Sequence, residues 1–310
     1  MKVSKLGEDA VVAALIRALP LGPDVRHGAG DDCAVIGGRR DRWWRLLKTD
    51  CVVETVHFLA SENSARVGWK ALCRAISDIA AMGGIPEHAV ITLAVRPEVE
   101  MAWVRSLYVG LKKAARKFGV SIVGGETSRS PGPTFISVAL TGRVERTRCV
   151  TRSGGKPGDA LYVTGRLGGS GGGRHLDFIP RVAEARWLVE KFRIHAMMDL
   201  SDGLGADLPR LARASGCGFD VWKEKLPRSK GCTIAQALGD GEDFELLFAI
   251  NPRDAARLET QWRKAFPKVP LTQIGALTRK ADTSVRTGQS GRTGVSASRK
   301  KLTRGYDHFA

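Results

Sequence analysis

The 310-residue chain has no C-x-x-C pair, no apolar run approaching a membrane span and no self-similarity at solenoid periods. Its six cysteines (Cys33, Cys51, Cys73, Cys149, Cys217 and Cys232) are scattered, several between apolar neighbours, and read as small buried residues in a reducing compartment. The N-terminal stretch lacks the charged-then-apolar build of a signal peptide, so a cytoplasmic protein with no membrane role is expected. The run Gly168-Gly-Ser-Gly-Gly-Gly173 has neither the Walker A pattern nor a Rossmann context. Despite a net charge of +17, no basic stripe is interleaved with aromatics, which argues against a nucleic-acid groove. No His or Cys stands out as a catalytic group.

What the chain does carry is a set of acids placed beside glycines or in apolar runs. They are Asp31, Asp32, Asp50, Asp78, Glu126, Asp199, Asp202, Glu242, Asp243 and Glu245. Carboxylates among Ile, Leu, Met and Phe are costly to desolvate unless a cation meets them, and Mg²⁺ favours carboxylate and phosphate oxygens together. The positive balance suits an anionic partner. Much of it falls late, at Arg279, Lys280, Arg286, Arg292, Arg299, Lys300, Lys301 and Arg304, where a solvated surface is the plainer explanation.

With 43% hydrophobic residues the chain can bury a large core, and its length suits two domains. Apolar spacing predicts helices over Glu8–Leu19, Ser64–Met82 and Pro97–Phe118. Strands are predicted over Cys33–Ile36, Trp43–Thr49 ending at Asp50, His88–Val95, Val120–Val123 ending in Gly124-Gly125-Glu126, and Thr134–Thr141. The run from Arg152 to Asp159, with three glycines and a proline, reads as a junction. Beyond it lie strands over Ala160–Thr164 and Phe244–Ile250, and Met197–Ser201 leads into a helix through Leu204, Leu208 and Leu211.

Each acidic motif has a plain alternative. Gly-Asp sequences populate turns, so Asp31-Asp32 could be only that. His57 could be a satisfied core or surface histidine. Asp202 or Ser201 could simply cap a helix, although Asp199 and Asp202 would repel each other without a cation. Asp78 is the sharpest of the set, because the Ser64–Met82 helix is apolar on two sides and few structural roles justify a carboxylate there.

Taken in order, Gly30-Asp-Asp-Cys-Ala-Val-Ile36, Thr49-Asp50 with His57-Phe58, Trp69-Lys-Ala-Leu72, Ser77-Asp-Ile-Ala-Ala-Met-Gly83, Gly124-Gly125, Thr151-Arg-Ser-Gly-Gly-Lys-Pro-Gly-Asp159, Val163-Thr-Gly-Arg-Leu-Gly168, Met198-Asp-Leu-Ser-Asp-Gly-Leu204, Gly241-Glu-Asp-Phe-Glu-Leu-Leu247 and Gly305-Tyr-Asp-His-Phe309 resemble the thiamine-monophosphate kinase family from end to end. The resemblance implies a two-domain aminoimidazole-ribonucleotide-synthetase-like fold. Its α/β N-terminal domain would span residues 1–147, with a sheet that pairs across a homodimer, and its α+β C-terminal domain residues 148–310. By position it implies Mg²⁺ ligands at Asp32, Thr49, Asp50, Asp78, Glu126, Asp199 and Asp202, ATP contacts at Gly125, Glu126, Arg152 and Ser201, and substrate contacts at His57, Glu242 and Tyr306. Asp32, Asp50, Asp78, Asp202 and Arg152 would carry the catalytic charge. Two positions depart from the family pattern: Lys48 replaces a small hydroxyl residue, and Glu126 replaces Asp.

The expected reaction is Mg²⁺-dependent transfer of the ATP γ-phosphoryl to thiamine monophosphate, which needs charge neutralisation more than a strong base. An ATP-dependent synthetase of the same fold and a non-catalytic anion or nucleic-acid binder are the rivals. A binder would not need internal acids at six sites.

Overall fold

Residues 3–280 and 284–286 are described by a computed structural model. In chain order the first half comprises α1 (Glu8–Ile16), β1 (Val25–His27), β2 (Ala34–Ile36), β3 (Trp43–Val53), α2 (Ser64–Ala81), β4 (Ile85–Val95), α3 (Met101–Phe118), β5 (Ser121–Arg129) and β6 (Phe135–Glu145). The second comprises β7 (Ala160–Thr164), α4 (Val182–Lys191), β8 (Ile194–Asp199), α5 (Leu204–Ala214), β9 (Gly218–Trp222), α6 (Ile234–Gly239), β10 (Leu246–Ile250), α7 (Ala255–Ala265), β11 (Leu271–Thr278) and β12 (Ser284–Arg286). Each half builds one six-stranded sheet, in the orders β1-β2-β3-β6-β4-β5 and β12-β9-β11-β7-β10-β8. Among the described strands only β4–β5 and β12–β9 pair in parallel.

Helix α2 ties the halves together. The Asn63 side chain caps it by accepting from the N–H groups of Ala65 and Arg66. Val67, Leu72, Ile76 and Ile79 are fully buried in the core under the first sheet, while Ala80 and Ala81 pack with Val150, Ala185, Leu188 and Val189 in a core of the second half. Each buried Leu or Ile contributes about 1.5–3 kcal/mol relative to exposure. The helix therefore cannot shift without disturbing both cores. Its approach to α3 depends on two glycines: a Cβ on Gly68 would lie 2.0 Å from Leu107 O, and one on Gly110 would lie 1.7 Å from Ala65 O.

Several boundaries differ from expectation, for physical reasons. Strand β3 does not stop at Asp50 but runs to Val53, because β6 pairs with it along its whole length. Strand β5 likewise runs through Gly124-Gly125-Glu126 to Arg129 beside β4. There a Cβ on Gly125 would lie 1.9 Å from Ile91 O, so this glycine has a structural reason to be there. Helix α1 ends at Ile16, short of Leu19, and buries no residue. Helix α3 begins at Met101. Strand β10 starts at Leu246, since Glu242 and Phe244 hold positive φ values of 51° and 50° that no strand allows.

Candidate active site

The site is organised along one face of α2. Lys70, Arg74, Ser77 and Asp78 stand at i, i+4, i+7 and i+8, a polar stripe on a helix otherwise buried. Eight residues of helix separate its ends by about 12 Å. β3 supplies the facing groups: Leu46, Lys48, Asp50 and Val52 lie on the face towards α2, and Leu47 and Thr49 on the other.

At the Asp78 end, three buried carboxylates converge from three elements. Asp32 comes from the turn before β2, Asp78 from α2 and Asp199 from the end of β8, and one oxygen of each lies within 4.8 Å of the others. Each has a different partner. Asp32 accepts from Arg152 Nε at 3.1 Å and again from its Nη2, while Asp31 accepts from the Arg152 backbone N–H at 3.2 Å. Asp78 pairs with Lys48 Nζ at 2.8 Å. Asp199 accepts from Ser77 Oγ at 2.6 Å. The second oxygen of Asp32 is buried and, among the described residues, accepts no hydrogen bond. Burial, with the charge of Asp32 adding to it, pushes the Asp199 carboxyl up to about 7. Burial likewise raises Asp78, against the pull of Lys48. Asp50 joins from β3 through Arg74 Nε at 3.2 Å; burial opposes its charge, but Arg74 and Lys48 outweigh burial and hold it below the usual carboxylate range. Carboxylates gathered this closely, with one oxygen left unpartnered, fit a hard divalent cation.

At the other end the charges close on one another. Lys70 Nζ, fully buried, donates to His57 O at 2.6 Å and to Glu242 Oε1 and Oε2 at 2.7 Å and 2.8 Å, which uses its three protons, and lies 2.7 Å from His175 Nδ1. Burial brings the ammonium down to about 8 despite the pull of Glu242. For Glu242 burial works against the charge, but hydrogen bonds from His175 and Lys70 hold it at about 2. His57 Nδ1 accepts from the Val53 N–H at 3.0 Å, which leaves Nε2 as the ring's protonated nitrogen. Beyond this cluster lies a cleft of about 520 Å³, bordered by the His57–Leu59 turn, the glycines Gly169, Gly171 and Gly172, and the acids Glu62, Asp240 and Glu242. Arg66 holds the rim, reaching Gly173 O at 2.9 Å and Asp177 at 3.0 Å.

Other expected site residues are placed apart from the three converging carboxylates. Thr49 is exposed on the opposite face of β3, with its Oγ1 3.5 Å from Ser137 Oγ. Glu126 is exposed on β5, the edge strand three positions from β3 in the sheet, next to Gly125. Asp202 pairs with Arg210, which also binds Asp207 at 3.0 Å, in a network of its own. No side chain caps α5, so neither Ser201 nor Asp202 acts as an N-cap; instead the 200–202 loop accepts backbone bonds from Glu242 at 2.6 Å and Phe244 at 2.8 Å. Asp243 and Glu245 are tied to Arg174 and Arg181, which gives them structural partners. All six cysteines are free, three of them buried. Tyr306 lies outside the described residues, as does the late basic segment apart from residues 279, 280 and 286. Lys70, Arg74, Ser77 and His175 were not singled out from sequence. The first three carried a usable signal, a polar i, i+4, i+7 series inside an apolar helix.

Family models of the AIR synthase related proteins match both halves of the chain. The model for their N-terminal domain matches residues 30–144, and that for their C-terminal domain residues 174–287. The chain is 36% identical over 304 residues to the thiamine-monophosphate kinase of Rhodopirellula baltica, covering 92% of each chain. It is also similar to the solved structure of AaThiL complexed with AMPPCP and TMP, with a TM-score of 0.79, 30% identity and 99% of each chain covered. The hydrogenase maturation protein HypE of E. coli, at 21% identity and a TM-score of 0.67, shares the fold. The chain belongs to the thiamine-monophosphate kinase family.

Proposed function

We propose that the protein transfers the γ-phosphoryl group of ATP to thiamine monophosphate, releasing thiamine diphosphate and ADP. The observation that carries this is the convergence of Asp32, Asp78 and Asp199 within 4.8 Å at one end of a polar helix face whose other end opens on an acid-bordered cleft. Asp32, Asp78 and Asp199, with Asp50 beside them, would hold Mg²⁺. When bound, it neutralises the polyphosphate and stabilises charge on the transferring group. Arg152 is a fixed cation at the same place. The acceptor is a phosphate oxygen with a second pKa of about 6, already ionised at neutral pH, so no side chain has to remove a proton. One P–O bond to the acceptor forms while the bond to ADP breaks, and ADP leaves with that electron pair.

The cleft suits the rest of the acceptor. Glu62, Asp240 and Glu242 offer negative charge to a cationic thiazolium, and His57 borders the same cleft. Ser201, Gly125 and Glu126 are proposed for the nucleotide, Thr49, Asp202 and Glu126 for further metal contacts, and Tyr306 for the substrate rings. We further propose a division into domains at residues 147 and 148, cytoplasmic location, and a homodimer through the uncovered face of the first sheet. On that face Leu47 and Val90 are 45% and 42% exposed. Among the described residues no helix is long and apolar enough to cross a membrane.

The test is ADP formation from ATP and Mg²⁺ with and without thiamine monophosphate, followed by product analysis. Matched yields of ADP and thiamine diphosphate are expected. ATP consumption indifferent to thiamine monophosphate would point to another acceptor and defeat the proposal.

A further inference from the structure

Lys48 enters the acid cluster from β3, on the same face as Asp50, and its Nζ sits 2.8 Å from Asp78 Oδ1. Its side chain is 23% exposed, so the pair is mostly withdrawn from water. The surrounding charges can be counted. Four carboxylates, Asp32, Asp50, Asp78 and Asp199, face three side-chain cations: Arg152 on Asp32, Arg74 on Asp50 and Lys48 on Asp78. Among the described residues, Asp199 has only the Ser77 hydroxyl as a direct partner. A divalent ion on the same oxygen of Asp78 would have to sit beside an ammonium, and like charges that close repel strongly outside bulk water. Metal and lysine therefore compete for Asp78 Oδ1.

We infer that Lys48 is a built-in cation of the phosphate site, taking a place at Asp78 that a divalent ion would otherwise take. The protein thus holds one metal ion fewer, with nucleotide bound, than the same chain with a neutral residue at position 48. The inference rests on the phosphotransfer proposal only in treating the cluster as a metal site. It also implies that the metal-free protein relies on Lys48 to hold these carboxylates together, because an ammonium offset by adjacent acids limits their mutual repulsion.

The experiment counts Mn²⁺ by electron paramagnetic resonance on metal-depleted full-length protein with AMPPCP, and records melting temperature in EDTA and in Mg²⁺. The wild type and Lys48→Arg should bind the same number of Mn²⁺ ions. Lys48→Ser and Lys48→Met should each bind one more, melt lower in EDTA, and gain more from Mg²⁺ than the wild type does. Equal Mn²⁺ counts in all four proteins would overturn the inference. If Lys48→Ser is unfolded in EDTA, recovery on adding Mn²⁺ supports the inference, and failure to recover at saturating Mn²⁺ counts against it. Failure of the phosphotransfer proposal is read separately, as absent thiamine-monophosphate-dependent ADP formation by the wild type.

Discussion

At the Lys70 end of α2 one buried ammonium meets three acceptors, the His57 carbonyl and both oxygens of Glu242, whereas at the Asp78 end three carboxylates share 4.8 Å of space and one oxygen has no partner among the described residues. The same helix face thus carries a balanced cluster and an unbalanced one. Balance makes a fixture: Lys70 positions His57, His175 and Glu242 beside the cleft and has no capacity left for a ligand. Imbalance makes a binding site, since carboxylates desolvated together gain most from a cation that arrives later. The comparison separates charges that build the site from charges that work in it.

The largest effect should come from breaking the balanced end. Lys70→Met strands Glu242 with only His175 at 3.2 Å and Arg74 at 3.5 Å. Losing one partner of a buried pair costs about 3–5 kcal/mol, and because Glu242 keeps 27% exposure the lower figure is expected. Denaturant midpoints at unchanged slope measure it, and Lys70→Met with Glu242→Gln should recover part of the loss. A cost under about 1 kcal/mol would show that this end is not the fixture described. Next comes Asp78→Asn, which should lower Mg²⁺-dependent turnover by about 10²–10³-fold, the scale of one lost electrostatic stabiliser, while costing less stability than Lys70→Met. Asp202→Asn should lose less turnover than Asp78→Asn, because Asp202 is engaged by Arg210 outside the three converging acids. Equal losses would place Asp202 at the nucleotide.

Much of this contrast was legible in the sequence, and the gaps have physical causes. Asp78 could be found because periodicity shows both faces of its helix to be apolar, which leaves a carboxylate there unexplained. Asp32 and Asp199 could be listed as candidates, but their meeting depends on how two sheets pack on α2, a long-range relation that no local pattern encodes. Asp50 and Thr49 look equivalent in sequence. The two-residue period of β3, which continues past Asp50, turns one towards α2 and the other away. Lys70 was passed over because its neighbours Trp69 and Leu72 mark it as part of an apolar run, and a lysine is seldom fully buried unless paired.

A smaller, pH-dependent effect follows from the unbalanced end. The folded pKa of Asp199 is raised from 3.8 to about 7, so the native state holds this proton more tightly than the unfolded chain does. That contribution to stability is fully present below about pH 4 and is lost as pH rises towards 7. Asp31 and Asp243, also raised to about 7 by burial, add to the decline. A divalent ion requires Asp199 ionised, so Mg²⁺ should raise the melting temperature more at pH 8 than at pH 5 and cancel only the part due to the cluster. A Mg²⁺ effect equal at both pH values would mean that the ion binds elsewhere.

The smallest effect belongs to the rim of the cleft, where Arg66 reaches from α2 to Gly173 O and to Asp177. Both side chains are well exposed, 38% and 59%, and pairs of that kind contribute between nothing and about 1 kcal/mol. Arg66→Ala should therefore barely move global stability. Its consequence should be local, because Arg66 is the side chain that holds the carbonyl of Gly173, at the end of the glycine run bordering the cleft. Once released, that run samples more conformations, and ordering it again on binding opposes association of whatever the cleft holds. KM for thiamine monophosphate should rise a few-fold, with KM for ATP nearly unchanged, since Asp78 in the acid cluster lies more than three helical turns, about 18 Å, away along α2. Raising the salt concentration should narrow the difference between variant and wild type, as expected for a screened surface pair. If KM for ATP rose equally, the glycine run would belong to the nucleotide as much as to the acceptor, and the two ends of α2 would be less separate than their charges suggest.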